Sequence, residues 1–332
     1  MGCSCSDNVS SGSSLEITYT IKDEDLNEPI KLFGSINDKT EEFNGFGGFK
    51  SNQVILMLDG NIPIIPDKNT YEFKTEGEHK LEISVVSGDC INDLSCLFMN
   101  CTNITKVNGN SFNVSKVTSM EAMFYGCSKL KEVNISNWNV SNVNNVERMF
   151  NLCESLEEIN IPDWNLSSAT KVSNIFAGCS HLTKADLKNW KINGTEEIDC
   201  LFNGCSNLKE VNVENWEFKN AKKLTSIFMN CSELSKIDVS KWNVSQIDNI
   251  HYLFLQCTSL KSLDISNWNV SEMNDTQLAF GYCSNLEDAD FSKWELKKTC
   301  FVNGMLFECK KLKNLEELKK KLPEDVFVFD DE

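Results

Sequence analysis

No stretch of this chain approaches the 18 or more consecutive apolar residues that a membrane-spanning helix requires. The opening residues likewise lack the apolar run of a secretory leader, so the expected location is inside the cell. Basic charge is in short supply. Lys and Arg number 32 against 49 Asp and Glu, a formal net charge of −17 over 332 residues. That balance argues against nucleic acid, where affinity comes from neutralising phosphates, and against unaided docking on anionic lipid. Histidine is scarcer still: His79, His181 and His251 are scattered and have no partnering motif. There is no Gly-rich phosphate loop, zinc-ligand spacing or nucleophile elbow. The expectation is a protein that is not an enzyme, with no cofactor and no metal.

What the chain has in abundance is repetition. Nine cysteines, Cys101, Cys127, Cys153, Cys179, Cys205, Cys231, Cys257, Cys283 and Cys309, recur every 26 residues, and seven tryptophans from Trp138 to Trp294 keep the same interval. A fixed period of this size marks a solenoid, whose units bury their apolar faces only by stacking. Nine of the 15 cysteines thus occupy one repeated slot and read as small buried hydrophobes in thiol form, not as a disulfide framework.

Within one unit, Leu130, Val133, Ile135, Trp138 and Val140 follow the spacing of a leucine-rich repeat, with Trp in the slot usually held by Asn or Cys. Val133 and Ile135 alternate as on a short strand. Val143, Val146, Met149, Phe150 and Cys153 fall at intervals of three and four, which predicts a short helix or tight helical turn opposite. Strands stack about 4.8 Å apart and helices about 8–10 Å apart, so such a stack curves with its sheet concave. The expected fold is an α/β solenoid: a curved, leucine-rich-repeat-like stack with a concave parallel sheet and short convex helices, preceded by a small β-rich module.

The units Met149-Phe150-Asn151-Leu152-Cys153 to Trp164-Asn165-Leu166-Ser167, and Leu253-Phe254 to Trp268-Asn269-Val270-Ser271, resemble the tryptophan-bearing subgroup of the BspA-like leucine-rich repeat family of bacteria and protists. The resemblance covers residues 89–312. It implies the leucine-rich-repeat fold and, for function, either surface adhesion or a role not characterised in the family. The chain departs from secreted members in lacking a leader.

The sequence divides into an acylated flexible tail (1–14), a β-rich capping module (15–88), nine repeat units (89–312) and a capping helix with a tail (313–332). Met1-Gly2-Cys3-Ser4-Cys5-Ser6 satisfies an N-myristoylation pattern through Gly2 and Ser6. One myristoyl chain anchors only marginally, and the following segment has no basic cluster, so Cys3 and Cys5 are the candidates for a second acyl chain. From Leu15 to about Gly88, period-two runs such as Glu16–Ile21 and Val54–Leu58 read as strands. Leu315, Leu318 and Leu322, among lysines and stopped by Pro323, read as an amphipathic helix closing the last unit.

One outward column on the strands runs Asn134, Asn160, Asp186, Asn212, Asp238, Asp264 and Asp290, continuing Asn108. Aspartates at successive rungs about 5 Å apart repel, so something must offset them. Lysines and solvent are one answer, and a basic partner segment is another. Asn-Val-Ser triplets after each of several tryptophans, among them Asn139-Val140-Ser141, match glycosylation sequons and recur because the turn recurs. The leading expectation is a non-enzymatic scaffold, lipid-tethered to the cytoplasmic face of a membrane and binding protein partners on its concave face, with oligomeric state open. The alternative is a surface-exposed or secreted adhesin.

Overall fold

The computed structural model describes residues 13–34, 54–64, 69–86 and 91–329; Gly2, Cys3 and Cys5 lie outside them. Period-two alternation makes the first strands. In β1 (Ser14–Ile21) the inward Leu15, Ile17, Tyr19 and Ile21 are at most 2% exposed. β1 lies between two antiparallel neighbours, β6 (Gly77–Val85) and β7 (Ile104–Asn108). β3 (Val54–Leu58) and β4 (Ile62–Pro63) extend the sheet outward from β6, while β2 (Pro29–Lys31) and β5 (Thr70–Glu72) pair separately. On its far side β7 pairs in parallel with β8 (Glu132–Asn134), one 26-residue step along the chain. One sheet, ordered β4-β3-β6-β1-β7-β8, therefore joins the N-terminal strands to the solenoid without a gap in hydrogen bonding.

The repeats form a β-solenoid. β9 (Glu158–Asn160), β10 (Lys184–Asp186) and β12 (Glu210–Asn212) stack in parallel, each residue paired with its equivalent one repeat away. A second parallel column is carried by β11 (Glu197–Asp199), β13 (Lys223–Thr225) and single bridges such as Asn145↔Lys171 and Asn249↔Asp275.

The third side differs from the sequence expectation. The segment holding Met149, Phe150 and Cys153 is not a helix but a run of tight turns, so neither the α/β assignment nor the convex helices stand. The reason lies in backbone conformation. Left-handed residues recur at two positions per unit, including Arg148 (φ 57°) and Leu152 (φ 60°), then Asn174 (φ 60°) and Gly178 (φ 75°). These interrupt a helix every fourth residue and turn alternate amides out of the unit. Phe124 N–H donates to Met149 O (2.8 Å) and Phe150 N–H to Ile175 O (2.8 Å), while Cys127 N–H closes the local turn on Phe124 O (3.1 Å). Every inter-unit amide of this kind points toward the following unit.

The helices' removal also removes the size mismatch from which concave curvature was derived. Phenylalanine rings from Phe98 to Phe280 stack with centroids 5.2–5.8 Å apart, and tryptophans from Trp138 to Trp294 with centroids 5.8–6.5 Å apart. Both sides of the core thus advance at close to strand spacing. The tryptophans and the nine repeated cysteines are buried. Each thiol from Cys127 onward donates to the carbonyl of the phenylalanine in the preceding unit, as Cys205 Sγ does to Phe176 O (3.1 Å). Several indoles do the same, as Trp216 Nε1 does to Leu187 O (2.8 Å).

Both ends are closed. Gly34 N–H donates to Leu97 O (2.8 Å) at the first unit, where a Cβ on residue 34 would lie 2.0 Å from Cys96 O, so only glycine fits. At the last unit α1 (Leu315–Lys321) buries Leu318, and a 3-10 turn over Glu324–Val326 presents Asp325 O and Val326 O to the amides of Gly304 and Leu306 (both 2.8 Å).

Candidate functional site

Asn134, Asn160, Asp186 and Asn212 end the strands β8, β9, β10 and β12 on one outer flank, and Asp238, Asp264 and Asp290 hold the equivalent positions in later units, beside single bridges and outside any strand; Ile159, Ala185 and Val211 point inward. The carboxylates and amides there serve the fold first. Asp238 Oδ1 accepts from Ser240 N–H (2.9 Å) and Ser240 Oγ (2.6 Å); Asp264 Oδ1 does the same with Ser266 (3.1 and 2.7 Å). Asp290, Asn212 and Asp186 each take the amide two residues on. These are Asx turns, which lead the chain out of the strand toward tryptophan. The hydroxyl and amide of Ser240 hold the Asp238 carboxyl below its usual range, and those of Ser292 do the same for Asp290.

The repulsion expected down this column is therefore met within each unit, by a donor at the serine two residues on. Ser240, Ser266 and Ser292 were missed as partners in the sequence, although the Asp-x-Ser spacing was the signal. The sequon triplets have the same geometry on the next corner: Asn139 Oδ1 accepts from Ser141 N–H (3.2 Å) and Oγ (2.8 Å). The neighbouring column carries ion pairs between successive strands, Lys106–Glu132 (3.6 Å), Lys236–Glu210 (3.5 Å) and Lys313–Asp288 (2.6 Å). Where β6, β1, β7 and β8 meet, a cleft of about 480 Å³ is lined by Glu16, Glu78, Lys80, Lys106, Asn108 and Asn134. Its lysines are paired internally, Lys80 with Glu16 (3.1 Å) and Lys106 with Glu78 (3.5 Å).

The histidines stay apart. His79 bonds Asp59 Oδ2 through Nδ1 (2.8 Å), His181 reaches Glu154 O (2.8 Å), and His251 lies 3.9 Å from Asp275 with its Nε2 unpartnered. Burial pushes the Cys127, Cys179 and Cys309 thiols up to about 12. It also raises Cys200 and Cys300, two of the described thiols outside the repeated column, so neither is held as a thiolate. Cys90 lies outside the described residues. Among the described residues no group of three His, Cys, Asp or Glu side chains is placed to hold a metal ion, and no helix is long and apolar enough to cross a membrane.

A search of the curated proteins found no match. A family model described as "Mycoplasma protein of unknown function, DUF285" matches twice, over residues 92–212 and 196–318. The two matches together take in the whole stack from the first turn to α1, more than half of the chain, and the chain belongs to the DUF285 family.

Proposed function

We propose that this protein is a non-enzymatic interaction scaffold, tethered by acylation of Gly2 and of Cys3 or Cys5 to the cytoplasmic face of a membrane, and that it binds protein partners along the Asn/Asp flank of its solenoid. The observation that supports the reading most is the division of labour along each unit. Every backbone ladder and aromatic column faces inward or along the stack, and the strand flank is left as a regular polar surface whose Asx oxygens are fixed in place. Such a surface is rigid before it meets a partner, which lowers the ordering cost of binding. The free Oδ2 atoms of Asp238, Asp264 and Asp290 favour a segment carrying lysine or arginine. Within DUF285, the Trp- and Cys-bearing units favour the BspA-like leucine-rich repeat subgroup as the finer placement.

The tether is tested by metabolic labelling with an alkyne-bearing myristate. Label on the wild-type chain and none on Gly2→Ala, with Gly2→Ala released from the membrane fraction, is the expected result. An unlabelled wild type removes the tether from the reading. The flank is tested by comparing partner recovery with that of an Asp238→Asn, Asp264→Asn, Asp290→Asn variant, which keeps each Oδ1 acceptor and removes only the charge; undiminished recovery excludes the acidic flank.

A further inference from the structure

Six large apolar side chains are exposed among the described residues; Ile55 (53%) and Ile62 (38%) belong to the N-terminal sheet, and Val86 (39%) lies one residue past the end of β6. Ile55 pairs with Ser84 and Met57 with Glu82, so these four share a side by register, and Val86 follows directly on the end of β6 at the edge of that side. The chain enters the fold at the same corner: Ser14 pairs with Ser84, and Ser13 O accepts the Val85 amide at 3.3 Å. Ile55 is two strands from Ser14, about 10 Å. The 12 residues before Ser13 span at most about 40 Å, so a lipid attached at Gly2 keeps this corner close to the bilayer.

We propose that the face bearing Ile55, Met57 and Val86 is a second membrane contact, laid against a zwitterionic lipid surface beside the acyl anchor. The proposal rests on the acylation reading for its tether. A patch of two or three aliphatic side chains binds lipid weakly alone, but tethering converts the contact into an intramolecular one at high effective concentration. The charged groups on the face are Glu16, Glu78, Lys80 and Glu82, continued on β7 and β8 by Lys106 and Glu132; Lys80 pairs with Glu16 at 3.1 Å and Lys106 with Glu78 at 3.5 Å, so the lysines are neutralised locally and nothing there draws the sheet to anionic lipid. The contact is confined to the β3–β6 edge; the same face continues through Glu16 and Asn108 to the Asn/Asp flank, which lies beyond the contact along the stack, so the contact fixes the solenoid's orientation and leaves that flank to partners.

The native tryptophans are at most 4% exposed, which makes a new surface indole a clean reporter. Full-length Ile55→Trp, carrying an N-terminal hexahistidine in place of the lipid, is bound to phosphatidylcholine vesicles holding nickel-chelating and bromine-labelled lipid. Leu152→Trp, at an exposed site in the solenoid, is the control. Bromine quenching of Ile55→Trp several-fold above that of Leu152→Trp, unchanged when phosphatidylserine is added, is the expected result; equal quenching of the two overturns the contact. In the myristoylated chain, Ile55→Ser with Val86→Ser lowers the vesicle-bound fraction several-fold, and an unchanged fraction counts equally against it. Because the nickel tether replaces the acyl chain, a failure of acylation at Gly2 is read separately and falls on the tether alone.

Discussion

At the residue scale the repeated cysteine is more than a small apolar filler. Its thiol donates to a phenylalanine carbonyl that already accepts the cysteine amide of its own unit, so one buried oxygen serves two donors from successive units, as Phe124 O does for Cys127 and Cys153. Burial raises the thiols of Cys127, Cys153, Cys179, Cys205, Cys231, Cys257, Cys283 and Cys309 above the ordinary thiol range. A group whose folded value is raised stabilises the fold fully below its unfolded value and loses that contribution as pH climbs toward the folded one. For Cys127, Cys179 and Cys309 the window runs from about 9 to about 12. Each of these three then loses about 1.4 kcal/mol per pH unit, about 4 kcal/mol per unit together, and the other buried thiols add to the loss in the same direction. Circular dichroism against pH should show cooperative unfolding before pH 11. Maleimide at neutral pH should leave this column unmodified until denaturant is added.

At the scale of the element, sequence and structure part company over the segment that carries Phe and Cys. Its apolar spacing of three and four is shared by helices and by consecutive tight turns, so periodicity alone could not separate them. The separating signal was the left-handed column Asn100, Gly126, Leu152, Gly178, Gly204, Asn230, Gln256, Tyr282 and Glu308, in which five of nine places are glycine or asparagine, the residues that best tolerate positive φ. Leu152, Gln256, Tyr282 and Glu308 in that column hide the pattern, since stacking compels them into the same conformation. The strands and the burial of Trp and Cys were legible because period two and the 26-residue repeat each have one structural solution. The Asx role of the aspartate column was hidden by its charge, which drew attention away from the serine two residues on. Gly204 tests the turn geometry cleanly. Its φ is 77°, and an added Cβ would meet nothing closer than Gly178 at 3.8 Å, so Gly204→Ala is penalised through the backbone alone. A loss of about 1–2 kcal/mol in urea denaturation is expected; a helix at this site would instead gain stability from alanine.

At the scale of the molecule, neighbouring units depend on each other and distant ones do not, as in any one-dimensional stack. Removing residues 314–329 strips the acceptors from Gly304 and Leu306 and uncovers Leu312. Each orphaned amide costs about 1–3 kcal/mol. Hydrogen exchange should therefore accelerate sharply over 300–312 while 146–160 keeps its protection. Uniform acceleration along the chain would mean that the stack melts as a single block.

The turns that carry Phe and Cys aim their inter-unit amides from the first unit toward the last, four in the unit of Val146, Arg148, Phe150 and Leu152, and outnumber the amides, such as those of Asn144 and Ser155, that point back. Their net dipole adds along the axis as in a helix, giving each terminus a partial charge that does not grow with length. The electrical demand on the closing segments, Gly34 at the negative pole and Asp325 with Val326 at the positive one, is thus the same for a short array as for a long one. Genes for such chains can duplicate or delete whole 26-residue units without any redesign of the termini.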